Sequence, residues 1–150
     1  MLSNVRMQTS FPEPKYFICS LTLQAARKMI AHYNRVLVPL GITAQQMIAL
    51  GVLWREENIS LGVFARRAGI GKAAAVTMIN RLEQMGLVQR LLHPEDARLN
   101  KLTLTDKARE LAPEIAEKVA NLENTVETAV GHANMQTLID GLTAIRDLDL

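Results

Sequence analysis

Apolar residues recur at every third or fourth position from residue 17 to residue 40. Phe17, Ile18, Leu21, Ala25, Met29, Ile30, Tyr33, Val36, Leu37 and Leu40 share a helical spacing, which predicts a long first helix. Pro14 suits its first turn, and Pro39 with Gly41 marks its end. Thr43-Ala44-Gln45-Gln46 has the form of a capping box, opening a second helix that carries Met47, Ile48, Leu50, Val52 and Leu53 to about Trp54. Ser60 suits the N-cap of a short third helix with Leu61, Phe64, Ala65 and Ala68. Gly69-Ile70-Gly71 then breaks the chain, and a fourth helix runs from about Lys72 to Met85, with Gly86 ending it. Two short helices joined by a tight glycine turn form a helix-turn-helix.

Beyond Gly86 the period changes. Leu87 to Leu92 reads as a strand, and Leu99 to Leu104 as a second, with Leu102 and Leu104 on one face. The turn-rich string His93-Pro94-Glu95-Asp96-Ala97-Arg98 between them makes a β-hairpin, or wing. Thr105 caps the following helix, with Asp106 placed to favour its dipole. Leu111, Ile115, Val119, Leu122, Val126 and Val130 then alternate steps of four and three, a coiled-coil kind of seam. Pro113 interrupts that seam and is expected to kink or restart the helix. Met135, Leu138, Ile139, Leu142, Ile145 and Leu148 stripe a last amphipathic helix.

The fold predicted is mainly α with a small β-hairpin: a winged helix-turn-helix with long helices at both ends. Residues 1–150 form one domain, with a core at 41–110 flanked by helices at 14–40 and 111–150. The flanking helices carry apolar stripes that so small a core cannot cover. A second copy packed two-fold against the first would bury them, so a homodimer is expected, with an intramolecular helical bundle as the alternative.

Composition narrows the class. With 49% hydrophobic and 21% charged residues the chain is globular, and no apolar run approaches a membrane span. A polar N-terminus with Pro12 and Pro14 is no signal peptide, and the lone Cys19 excludes an internal disulfide, so the cytoplasm is the default location. There is no phosphate loop, nucleophile elbow or chemically spaced His/Cys/Asp cluster, so no enzyme and no cofactor are expected. His32, His93 and His132 lack metal-ligand spacing, so no metal is expected. The net charge of +2 hides an asymmetry. Residues 60–110 hold nine Lys/Arg against five Asp/Glu, while residues 111–150 hold two against seven, so a polyanion would bind the middle of the chain.

Several strings resemble the MarR family of bacterial transcription regulators. They are Gly41-Ile42-Thr43, Asn80-Arg81-Leu82-Glu83 followed by Gly86-Leu87-Val88, Pro94-Glu95-Asp96-Ala97-Arg98, and Leu102-Thr103-Leu104-Thr105. Their spacing and the flanking helices extend the resemblance over nearly the whole chain. It implies a homodimeric repressor of palindromic double-stranded DNA, released by a small-molecule effector or an oxidant. On the fourth helix Ala75, Met78, Ile79 and Leu82 fall on the core face, leaving Lys72, Ala73, Ala74, Val76, Thr77, Asn80 and Arg81 for the major groove. Lys72 and Arg81 suit phosphates or guanine, Asn80 could reach adenine, and the apolar residues can meet only thymine methyls. Arg98 resembles the family's minor-groove arginine, oriented by Asp96; a surface ion pair between the two is the alternative. The family usually has Ser or Thr at Ala73 and Ala74, a basic residue at Thr77, an arginine at Ala97, and polar residues at Leu91 and Leu92. Base readout therefore looks sparse, and a helical interaction module that has lost specific DNA binding is the rival reading.

Cys19 resembles the reactive cysteine of the family's organic-hydroperoxide-sensing branch, with Tyr33 matching one of the tyrosines that bond it across the dimer interface. A helix N-terminus favours the thiolate that peroxides oxidise. Ala44 and Ser20 depart from that branch's aromatic positions, and a buried core cysteine is the alternative. A second mode of sensing is a ligand pocket lined by Met29, His32, Tyr33, Met47 and Trp54, each of which could equally be core.

Overall fold

The computed structural model describes residues 16–93, 95–96 and 100–149. Along them run α1 (Ile18–Val36), a 3-10 turn (Val38–Leu40), α2 (Ala44–Arg55), α3 (Leu61–Ala68) and α4 (Lys72–Gln84). Then come β1 (Val88–Leu91), β2 (Lys101–Leu104), α5 (Asp106–Val130) and α6 (His132–Arg146). The chain is a mainly helical winged helix-turn-helix, as its periodicities predict.

Local chemistry explains where these helices begin and end. Thr43 Oγ1 accepts from the Gln46 amide at 3.2 Å, and Gln46 Oε1 accepts from the Thr43 amide at 2.8 Å. Ser60 and Thr105 accept from the amides of Val63 and Ala108, both at 3.3 Å. Each such cap satisfies a donor with no partner inside the helix and contributes about 1 kcal/mol. Gly69 ends α3 at φ 65° and Gly86 follows α4 at φ 70°, a region where a side chain would strain the backbone.

Two expectations change. The first helix is shorter than the apolar spacing suggests: α1 stops at Val36 and a tighter turn covers Val38–Leu40. Pro39 cannot donate to a continuing α-helix, and Gly41 at φ 68° then redirects the chain. Pro14 lies outside the described residues. Pro113, by contrast, neither stops nor restarts α5, which runs unbroken from Asp106 to Val130. One missing hydrogen bond is outweighed there by packing on both sides of the proline, at Ala108 and along Ile115, Val119 and Leu122.

The core lies where α2, α3, α4 and the hairpin meet the end of α1. Leu37, Leu53, Phe64, Ile79, Leu82, Leu87 and Leu102 are its largest fully buried side chains. The hairpin pairs Val88 with Leu104 through to Leu91 with Lys101. Its second strand also bridges Ile59: the Asn58 amide donates to Leu102 O at 2.9 Å, and the Leu102 amide donates to Ile59 O at 2.8 Å. The wing is thereby fixed to the segment joining α2 and α3. Thr103, on the opposite face from Leu102, is also buried and donates to Glu57 Oε2 at 2.7 Å. At the chain ends burial stops: α6 buries no residue and α1 buries only Tyr33.

Candidate nucleic-acid interface

α4 divides cleanly by exposure. Ala75, Ile79 and Leu82 are fully buried and Met78 is half-buried. Lys72, Ala73, Ala74, Val76, Thr77, Asn80 and Arg81 are all exposed. Steps of three and four place the buried set on one face, so the other seven share the face turned away from the core. Two of them are already bonded. Thr77 Oγ1 donates to Ala73 O at 3.2 Å, one turn back along the helix. Asn80 Oδ1 accepts from Arg90 Nη2 at 2.9 Å, and Arg90 Nη1 pairs with Glu83 Oε2 at 2.7 Å. Arg90 on β1 is a residue that sequence reasoning missed, because only the fold brings β1 beside this part of α4.

The wing starts from an ordered base. Asn100 Oδ1 accepts from the His93 amide at 2.8 Å, and His93 Nδ1 accepts from the amides of Glu95 and Asp96, both at 3.3 Å. Asp96 is half-buried; Arg98, with Pro94, Ala97 and Leu99, lies outside the described residues. At the exit, Thr105 Oγ1 donates to Gly86 O at 2.6 Å and Lys107 Nζ donates to Met85 O at 2.8 Å. These bonds fasten the return strand to the C-terminal end of α4.

The pairing of charges decides which cations could meet an external anion. Arg67 pairs with Glu56 at 3.0 Å, Arg90 with Glu83, and Arg109 with Glu57. Among the described residues no carboxylate lies within ion-pair reach of Lys72, Arg81 or Lys101. Glu57 accepts from both Thr103 and Arg109. The Thr103 hydroxyl first, and then the Arg109 guanidinium, hold its carboxyl below the usual carboxylate range.

A cleft of about 730 Å³ lies between α2, the end of α3 and the first half of α5. Tyr33, Met47 and Trp54 line it as the sequence suggested, but Met29 and His32 do not. Met29 is exposed on α1, and the His32 ring stands edge-on to Tyr33 with centroids 6.1 Å apart. Arg55, Arg67 and Pro113 complete the polar and helical walls, and among the described residues no carboxylate lines the space. Burial, then the charge of Glu123, raises the Tyr33 hydroxyl above its ordinary pKa. Among the described residues no three His, Cys, Asp or Glu side chains group to hold a metal ion, and no helix is long and apolar enough to cross a membrane.

Residues 40–99 match a family model described as the MarR family. The chain is 28% identical over 109 residues to the organic hydroperoxide resistance transcriptional regulator of Bacillus subtilis (strain 168), covering 73% of this chain and 71% of that one. It is 29% identical over 149 residues to the HTH-type transcriptional regulator TtmR of Methylorubrum extorquens (strain PA1), covering 96% and 74% respectively. A crystal structure of NadR in complex with 4-hydroxyphenylacetate superposes with a TM-score of 0.78 at 26% identity, covering 93% of this chain and 100% of that one. Residues 40–99 thus resemble the MarR family, and the curated relatives and the NadR structure extend that likeness along most of the chain.

The MarR match spans the helix-turn-helix and most of the wing, the region that carries α4 and Arg90. The residues tied by resemblance to peroxide sensing lie outside it. In the single chain Cys19 is exposed in the first turn of α1. Tyr33 follows 14 residues later on the same helix and is buried. At the helical rise the two are separated by about 21 Å within one chain. Ala44, where the branch has its second tyrosine, is fully buried against the amide bond it donates to Asn34 Oδ1 at 2.8 Å.

Proposed function

We propose that two copies of this chain pair through α1, α5 and α6 and bind palindromic double-stranded DNA. Transcription is repressed until a small ligand enters the cleft. The single observation that carries the reading is the division of α4: a buried apolar face rooted in the core, and an exposed face with Lys72 and Arg81 beside the wing. A rigidly rooted helix with a free face is what a major groove admits. A regulator of this kind works in the cytoplasm and needs no catalytic group.

Pairing is supported by apolar surface at both chain ends. Phe17, Ile18 and Leu21 on one side, and Leu138, Leu142 and Ile145 on the other, are exposed in the single chain. Such contiguous stripes mark an interface in a globular protein. Two-fold pairing would present two α4 helices to successive half-sites.

The cleft supports an amphipathic acid as effector, with an apolar body among Met47, Trp54 and Val119 and an anionic end at Arg55, since Arg67 is already paired with Glu56. The 4-hydroxyphenylacetate held by NadR is one such acid. Because α2, the end of α3 and α5 all wall the cleft, an occupant would reset the position of the helix-turn-helix relative to the flanking helices. A second route is favoured by one observation, the exposed thiol of Cys19 in the first turn of α1. Oxidation there would act at the proposed pairing surface.

Gel-shift titration against random and promoter duplexes tests the reading. Duplex binding that weakens steeply with salt and is relieved by aromatic acids supports it. An interaction module that has lost DNA binding would show no salt-sensitive shift.

A further inference from the structure

The exposed polar groups of α4 differ in what they can still offer. Lys72 and Arg81 carry only donors. The Thr77 hydroxyl turns its proton back to Ala73 O at 3.2 Å. Asn80 accepts from Arg90 at 2.9 Å, and because a guanidinium has only donors, the amide oxygen must face Arg90. Its NH2 group is thereby turned the other way. Arg90 is itself fixed by Glu83 at 2.7 Å, with both side chains largely covered. Strand β1 thus holds the Asn80 side chain in one orientation, and a cation draws on its oxygen.

That orientation bears on base reading. Adenine presents an acceptor, N7, beside a donor, the N6 amino group, and an amide matches it only when its oxygen and nitrogen both face the base; the oxygen could accept twice, but here it is turned to Arg90. Guanine presents two acceptors, N7 and O6, which a donor alone can read. We propose that Arg90 is a positioning residue that sets sequence specificity: by holding the oxygen of Asn80 it makes that side chain read guanine rather than adenine. The proposal rests on the DNA-binding reading above, and it reverses the adenine contact that the isolated residue type suggests. Ala73, Ala74 and Val76, apolar and exposed on the same face, are left to meet thymine methyls.

Selection of the full-length protein on randomised duplex pools, followed by sequencing, tests it with four variants. Asn80→Ala identifies the position that Asn80 reads, as the one where preference disappears. Wild type selects guanine there by about tenfold over adenine, the usual scale for one good base contact. Arg90→Met frees the amide and shifts that one position towards adenine, while Arg90→Lys, which can still donate, keeps guanine. Asn80→Asp pairs with Arg90, offers no donor and loses guanine, so the proposal stays decidable if Arg90→Met fails to fold. Adenine at that position in wild type, unchanged preference in Arg90→Met, or no position affected by Asn80→Ala overturns the proposal while leaving DNA binding intact. Absence of any salt-sensitive duplex binding by wild type overturns the DNA-binding reading, and the proposal with it.

Discussion

Replacing Arg81 by Ala removes one cation from the exposed face of α4, and the ion-pair pattern indicates how much binding should change. Lys72 and Arg81 on α4 and Lys101 on β2 are three cations of the helix-turn-helix and wing that no described carboxylate neutralises. Paired two-fold, they present six charges to the phosphates. Counterion release then gives log Kd against log salt a contribution of about 5 to the slope, at about 0.9 for each phosphate neutralised. Arg81→Ala deletes two charges per dimer and should flatten the slope by about 1.8, whatever the undescribed wing tip adds. Across a fourfold rise in salt these six contacts would weaken binding about 2,000-fold in wild type and about 150-fold in the variant. Lys107→Ala is the control: the ammonium keeps its charge, but its donation to Met85 O at 2.8 Å holds it at the end of α4 rather than free to follow a phosphate. Its loss should lower stability by about 0.5–1 kcal/mol and leave the slope unchanged. Fluorescence anisotropy of a labelled duplex at four salt concentrations measures both. If Lys107→Ala flattens the slope as much as Arg81→Ala, the assignment of free and engaged cations is wrong.

Three further outcomes can be checked. Glu57→Gln should cost about 1 kcal/mol at neutral pH, discounted for the partial exposure of Arg109. Because the carboxyl of Glu57 is held low in the fold, its stabilisation exists above the unfolded value of about 4.3 and is lost as pH falls through the folded value. Urea titrations should therefore show the wild-type advantage vanishing in acid; an advantage that persists at pH 2 would refute the linkage. Deleting residues 131–150 removes α6 and should yield monomeric or aggregated protein without operator binding, whereas a normally binding dimer in light scattering would exclude α6 from the interface. Stoichiometric cumene hydroperoxide should leave the DNA affinity of both wild type and Cys19→Ser within about twofold. Thiol-reversible release of wild type alone would move sensing from the cleft to Cys19.

What the sequence settled, it settled through short-range rules. The capping box at Thr43, the caps at Ser60 and Thr105, and Gly69 and Gly86 at positive φ depend on residues three or four apart or on one backbone angle, so local spacing was enough. The buried and exposed faces of α4 were equally legible, since helical periodicity fixes which side chains point the same way. Partners distant in sequence were not. Asn80 and Arg90 sit on different elements, and Thr103 and Glu57 are 46 residues apart, so what each side chain accepts or donates followed only from packing. Charge shows the same limit: nine Lys/Arg between residues 60 and 110 read alike in sequence, yet Arg67, Arg90, Lys107 and Arg109 are engaged within the fold. Pro113 does not restart the helix as the proline rule allowed, because a rule about one residue ignores the packing on either side of it. The cleft needed Arg55 and Arg67 from α2 and α3 to meet Pro113 and Val119 from α5, a juxtaposition that no local pattern encodes.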